Sequence, residues 1–199
     1  LLIAAEVIYS TVNGLGLYKF RDTLAGLGLL IGNFMIGLLT KSSIFFLYIY
    51  LYQFKFITVN ELLPTWAVWI VTFVMIDFVY YWYHRFSHRV RFMWAVHMNH
   101  HSSEEMNFTV SLRQAWFGPI TKVPFFIVMP LIGFDPIITA VAGVASTLWG
   151  VIGHTQWIRR LGVLEYILVT PSSHRVHHGE LCVMTVSYTH LTLPTMLWV

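Results

Sequence analysis

The sequence predicts an all-α integral membrane protein: a helical bundle of about four transmembrane helices with a histidine-rich metal site on the cytoplasmic face. Three observations carry that expectation. Of 199 residues, 57% are hydrophobic and 11% charged, whereas a water-soluble domain carries roughly 25% charged residues. The apolar residues gather into stretches long enough to cross a bilayer as helices. Eight of the ten histidines fall in three tight clusters where those stretches end.

The spans follow in order. Leu1 to Val12 reads as the remnant of an earlier crossing, and since residue 1 is Leu the N-terminus is read as truncated, with no recognisable signal peptide. Thr23 to Tyr52 is apolar but for Lys41 to Ser43. It is longer than the roughly 20 residues of one crossing, and is either one tilted helix or a crossing plus an interfacial piece. Trp66 to Tyr83 is opened by Pro64 and closed by "HRFSHR". Trp66, Trp69, Tyr80, Tyr81 and Tyr83 read as interfacial anchors. Trp116 to Phe134 and Pro136 to Gly153 form a hairpin about "GFDP". Pro119, Pro124 and Pro130 make its first leg kinked or partly re-entrant.

The hairpin goes in and returns, so the histidines before and after it share one side. Arg85, Arg89, Arg91, Arg113, Lys122, Arg159, Arg160 and Arg175 lie there too, while the opposite loops hold only Lys55; Lys41 fits least well. An excess of basic residues marks the cytoplasmic face. That places the site towards the cytoplasm, in the endoplasmic reticulum of a eukaryote or the inner membrane of a bacterium. The basic residues form no run that would follow a nucleic acid backbone, so no nucleic acid partner is expected. Cys182 alone excludes an internal disulfide framework and a cysteine zinc module.

His97, His100 and His101 stand at i, i+3 and i+4, as do His174, His177 and His178; His84 and His88 are an i, i+4 pair. On a helix each set lies within an arc of about 100°. Packing gives no reason to gather neutral imidazoles, whereas metal ligation does. His154, at the end of the return leg, adds a ninth candidate. Nine nitrogens exceed one four-coordinate zinc, so two metals with four or five imidazoles each is the natural count. No HExxH is present, which removes the zinc-protease arrangement. Imidazole alone does not select among iron, zinc, copper and nickel. His190 reads as an ordinary polar residue.

"DFVYYWYHRFSH" (Asp77 to His88), "HMNHHSS" (His97 to Ser103), "GHTQW" (Gly153 to Trp157) and "TPSSHRVHHG" (Thr170 to Gly179) together resemble the fatty acid hydroxylase / sterol desaturase superfamily of membrane di-iron oxygenases. Within it, "HHSSEEMNFTVSLRQ", "LGVLEYILVTPSSHRVHHG" and "LYKFRDTL" look most like the alkylglycerol monooxygenase branch. The resemblance covers Leu17 to Gly179. It implies that His84, His88, His97, His100, His101, His174, His177 and His178 are ligands, with His154 joining them. It also implies two iron ions (zinc if mis-metallated) and an O2-dependent attack on a C–H bond of an alkyl, acyl or sterol-type lipid. Hydroxylation is favoured over desaturation, which shares the first hydrogen abstraction. The electrons come from an external cytochrome, ferredoxin or tetrahydropterin, because no flavin, haem or GxGxxG motif is present.

Several supporting residues carry two readings. Asp77, costly within a span unless partnered, would fix the tautomer of His84 or His88 or make a plain structural bond. Glu104, Glu105 and Asn107 would line a cofactor entrance or sit in a solvated loop. Arg113 and Gln114 match the family's "LRQ", with an interface-anchoring arginine as the alternative for Arg113. Glu165 is expected to pair with Arg159 or Arg160, and Arg85 and Arg175 to meet lipid headgroups. Residues 1–179 thus form one membrane domain. Residues 180–199 depart from the family pattern and read as a non-native tail whose presence would leave the chain incomplete and inactive. A transporter, a bis-histidine cytochrome and an inactive scaffold are the competing classes. Substrate and oligomeric state are not encoded legibly.

Overall fold

The structure is a computed structural model that describes residues 1–179; His190, Cys182 and the expected tail lie outside the described residues. The described chain is helical, with α1 (Leu2–Val12), α2 (Phe20–Tyr52), α3 (Val59–Leu62), α4 (Thr65–Arg89), α5 (Arg91–His97), α6 (Gly118–Phe126), α7 (Val128–Ile132), α8 (Pro136–Ile152) and α9 (Pro171–His178), plus 3₁₀ turns at Val110–Leu112 and Gly162–Tyr166. Two helices, α2 and α4, are long and apolar enough to cross a membrane. The hairpin legs are shorter apolar helices.

The open question over residues 23–52 has a single answer: α2 is one helix of 33 residues. At 1.5 Å per residue it is about 50 Å long, well beyond the roughly 30 Å hydrocarbon core. It is inside out by the standards of a soluble helix. Gly26, Asn33 and Gly37 are its buried residues, while Leu24, Leu27, Ile31 and Phe34 are exposed. Gly32 is required by a close approach, since a Cβ there would lie 2.2 Å from the Trp116 ring. Helix α1 shows the same inversion, burying Glu6 and Ser10 and exposing Val7, Ile8 and Val12.

Helix α4 is the axis of the fold, packing against α5, α6 and α8. Val68 and Ile76 on α4 meet Met129 of α7, Phe134 and Ala142 of α8 in the apolar core. Pro64 opens α4, and Val90, in an extended conformation, closes it and opens α5. That one-residue break folds α5 back beside the end of α4. The first hairpin leg is broken at Ile127 into α6 and α7, with Pro124 inside α6, as the prolines lead one to expect. At the tip Gly133 has φ +120°, and a Cβ would sit 1.9 Å from the Ile57 carbonyl oxygen. Asp135 then caps α8, its Oδ1 accepting from the amides of Ile137 and Ile138.

Two sequence expectations need correction here. Tyr81 and Tyr83 are buried rather than interfacial; Tyr83 packs edge-on against Phe125 at 5.7 Å. Trp66 is exposed and Trp69 partly so. Arg85 donates 2.6 Å to the buried Tyr81 hydroxyl, which turns the guanidinium inward.

Candidate metal centre

All nine expected histidines come together at the ends of α4, α5, α8 and α9, in two groups. His84, His88, His97, His101 and His177 form one; His100, His154, His174 and His178 form the other. Each HxxHH triplet is therefore divided. The i, i+4 members share a helical stripe and join the same group: His97 and His101 the first, His174 and His178 the second. The i+3 member in each, His100 or His177, crosses to the other group. Helix α5 ends at His97, and the chain continues in i+3 turns, with His100 N donating to His97 O and His101 N to Met98 O. Helix α9 is held at its start by a capping box between Thr170 and Ser173, with Pro171 at the first turn.

In the first group the Nε2 atoms of His84 and His97, and of His84 and His88, lie 3.1 Å apart; those of His101 and His97 are 3.2 Å apart. In the second, His154 Nε2 lies 3.1 Å from Nε2 of both His100 and His174. A ring nitrogen carries at most one proton, so it cannot serve two such neighbours as a donor. The His154 tautomer is settled by Nδ1, which lies 2.6 Å from the Gly150 carbonyl oxygen and donates to it, leaving a lone pair on Nε2. Two nitrogens each about 2.1 Å from one metal and subtending a right angle there would be about 3.0 Å apart, close to the observed spacing. His178 Nε2 and His100 Nδ1 are buried without a hydrogen-bond partner among the described residues. His101 and His178 stack across the divide, centroids 4.2 Å apart at 17°. The donor set and its geometry fit two adjacent ions, one with five imidazoles and one with four.

Electrostatics agree. Burial, and then the neighbouring imidazoles, push His97, His100, His101, His174 and His178 well below the ordinary histidine value. Burial lowers His154 to about 4 despite its bond to Gly150. All are thus held neutral, the form that binds a metal. Trp94 closes one side, its ring 5.3 Å from His88 and 5.7 Å from His101.

The supporting residues divide. Asp77 is buried on α4, two turns before His84. Glu104 and Glu105 pair with Lys19 at 3.0 and 3.2 Å and line an open cleft of about 630 Å³ with Arg21, Asp22 and Arg113. Arg113 is no membrane-interface anchor: it is buried, 2.5 Å from Asp22 and 2.8 Å from the Ser102 hydroxyl. Asn107 is structural, donating 2.6 Å to Leu17 O, and Gln114 donates to Ser111 O. Glu165 does not form the expected ion pair. It accepts instead from Leu161 N and the Ser172 hydroxyl, because the N-cap of the 3₁₀ turn and the first turn of α9 present those donors. Arg175 does not reach for headgroups either. Its guanidinium donates to the carbonyls of Thr155 and Ile158 at 2.6 and 2.8 Å, strapping α9 to the segment after α8. Sequence reading passed over Glu6 and Trp94: a glutamate early in an apolar helix gives no hint of its distant partners.

The fatty acid hydroxylase family model matches residues 69–193. Among curated proteins, the alkylglycerol monooxygenase of Xenopus tropicalis is 44% identical over 115 residues, 58% of this chain and 25% of that protein. The Homo sapiens enzyme of the same name is 44% identical over 112 residues, 56% of this chain and 25% of its own length. That of Danio rerio is 40% identical over 115 residues, 58% and 25% respectively. The matched stretch is thus about a quarter of the length of these relatives. No solved structure matches the chain.

Proposed function

The chain belongs to the fatty acid hydroxylase family, and from that premise we propose that it is a membrane-bound, O2-dependent lipid monooxygenase with two iron ions. It hydroxylates a C–H bond of an alkyl, acyl or sterol-type lipid, with an ether lipid the first choice, after the alkylglycerol monooxygenases it resembles. One observation carries the reading: nine imidazoles converge in groups of five and four at the ends of apolar helices. When bound, the iron pair supplies the dioxygen chemistry that places a hydroxyl on carbon.

The protein's residues do the rest. His84, His88, His97, His101 and His177 would hold one ion, and His100, His154, His174 and His178 the other. His154 is oriented through its Nδ1–H on Gly150 O. Asp77 would likewise fix the ring of His84 or His88 from within α4. Trp94, 5.3 Å from the His88 ring, and Tyr80, 5.8 Å from the His84 ring, exclude water from the first group. The exposed apolar faces of α1 and α2 would lie in lipid, completing about four crossings with the centre at the cytoplasmic membrane surface. That places the ions where a lipid's reactive carbon can reach them without leaving the bilayer. Two electrons per turnover come from outside, through a cytochrome, a ferredoxin or a tetrahydropterin, with Glu104 and Glu105 lining the mouth of the open cleft.

The test is anaerobic reconstitution of the purified chain with ferrous ion, then incubation with 18O2, a reductant and an alkylglycerol. The expected product carries one labelled hydroxyl oxygen. Label-free product, or conversion by metal-free protein, would overturn the reading.

A further inference from the structure

The N-terminal helix lies outside the family match, yet its one carboxylate is among the most deeply buried groups in the molecule. Glu6 has no exposed surface. Its Oε2 accepts from the Tyr18 hydroxyl at 2.6 Å and from the amide of Phe108 at 2.8 Å. Its Oε1 accepts from the Thr155 hydroxyl. Thr155 immediately follows His154, and its carbonyl oxygen accepts from Arg175 at 2.6 Å. Arg175 in turn follows His174. The Thr155 hydroxyl also accepts from Trp157 N. Phe108 belongs to the loop that leaves His100 and His101, and next to it Asn107 is tied to Leu17 O.

Glu6 therefore joins three separated pieces of chain: α1, the loop after His100, and the turn carrying His154. The last two bear members of the four-histidine group. The five-histidine group draws four of its members from α4, α5 and the turn just after, which are continuous in sequence, and the carboxylate touches neither helix. A fully buried carboxylate is strongly unfavourable unless its donors are in place, so it forces the segments that supply those donors into one arrangement.

We propose that Glu6 is a positioning residue for the second metal site: through Thr155 it sets His154, and through Thr155 and Arg175 it sets His174 and His178 against His100. The inference rests on the two-metal reading and adds a residue that nothing in the family match covers. Removing the carboxylate should empty the four-histidine site and spare the five-histidine one.

The experiment is cobalt(II) titration of the metal-free protein in detergent, following absorption and bound metal. The unaltered chain should take up two ions. Thr155→Val, which keeps the side-chain volume but loses the hydroxyl donor, should bind one, with the spectrum that His174→Ala also retains. Glu6→Ala should behave likewise. Glu6→Gln should recover the second ion, because its carbonyl still accepts from Tyr18 and Phe108 while its amide donates to the Thr155 hydroxyl. Tyr18→Phe, which removes a donor remote from any histidine, should keep both ions. Should Glu6→Ala fail to fold, Thr155→Val decides. Two ions in Thr155→Val, or loss of both together, would overturn the proposal; fewer than two in the unaltered chain would overturn the two-metal reading itself.

Discussion

The two histidine groups are built in different ways. Four members of the five-histidine group come from residues 84 to 101, along α4, α5 and the turn that follows; only His177 arrives from afar. The four-histidine group takes His100 from that turn, His154 from the end of α8, and His174 and His178 from α9. The first is a local product of one helix–break–helix unit. The second exists only when elements more than fifty residues apart have docked. Local construction favours robustness, and assembly from distant pieces makes a site depend on its straps, here Glu6, Thr155 and Arg175.

The sharpest way to break that comparison is to remove one imidazole from each group. His84→Ala leaves four imidazoles in the first group, enough for a metal, so bound iron should stay close to two per chain. His100→Ala leaves three in the second, and bound iron should fall to one. Both should abolish lipid turnover, by more than the roughly 100-fold that loss of a mere orienting partner costs. Elemental analysis and product assays check both; equal metal loss would erase the distinction.

Asp77→Asn comes next. A carboxylate that orients a ligating imidazole is worth about 10–100-fold in metal affinity. The loss should fall on the first group alone, read as a weakened single step in a competitive chelator titration. A smaller effect is expected at the cap of α9. Thr170→Ala removes the hydroxyl acceptor of the capping box, worth about 1 kcal/mol, or roughly fivefold, and should weaken the second site, which takes two ligands from α9, more than the first, which takes one. Away from both groups, Gly32→Ala forces a methyl into the Trp116 ring. It should lower the thermal midpoint by the equivalent of about 1–3 kcal/mol and leave metal stoichiometry at two.

The difference between the groups also explains what was legible beforehand. The clustering of eight of the histidines could be read because spacing of i, i+3 and i+4 is local information; His154, alone in sequence, was suggested only by its place at the end of the return leg and by the family resemblance. The division into two groups could not be read, because it depends on α5 stopping at His97 and on how α9 docks. The helical character and the proline-broken hairpin were readable from apolar length and from Pro124. The inward turn of Tyr81, Tyr83 and Arg85 was not, since aromatics at a span end look alike whether they face lipid or core. Arg175 and Glu165 depart from the sequence expectation for one reason. Backbone carbonyls and hydroxyls that compete for a charged side chain are invisible until the fold brings them near. Glu6 is the extreme case, with partners 12, 102 and 149 residues away.

In the proposed function, imidazoles alone, five and four, hold two adjacent metals. X-ray absorption at the iron edge of anaerobically reconstituted protein tests it most directly. The expected result is two irons per chain, a first shell of nitrogen near 2.1 Å with imidazole outer-shell scattering, and no sulfur. One iron per chain, or a shell dominated by oxygen or sulfur, would contradict it.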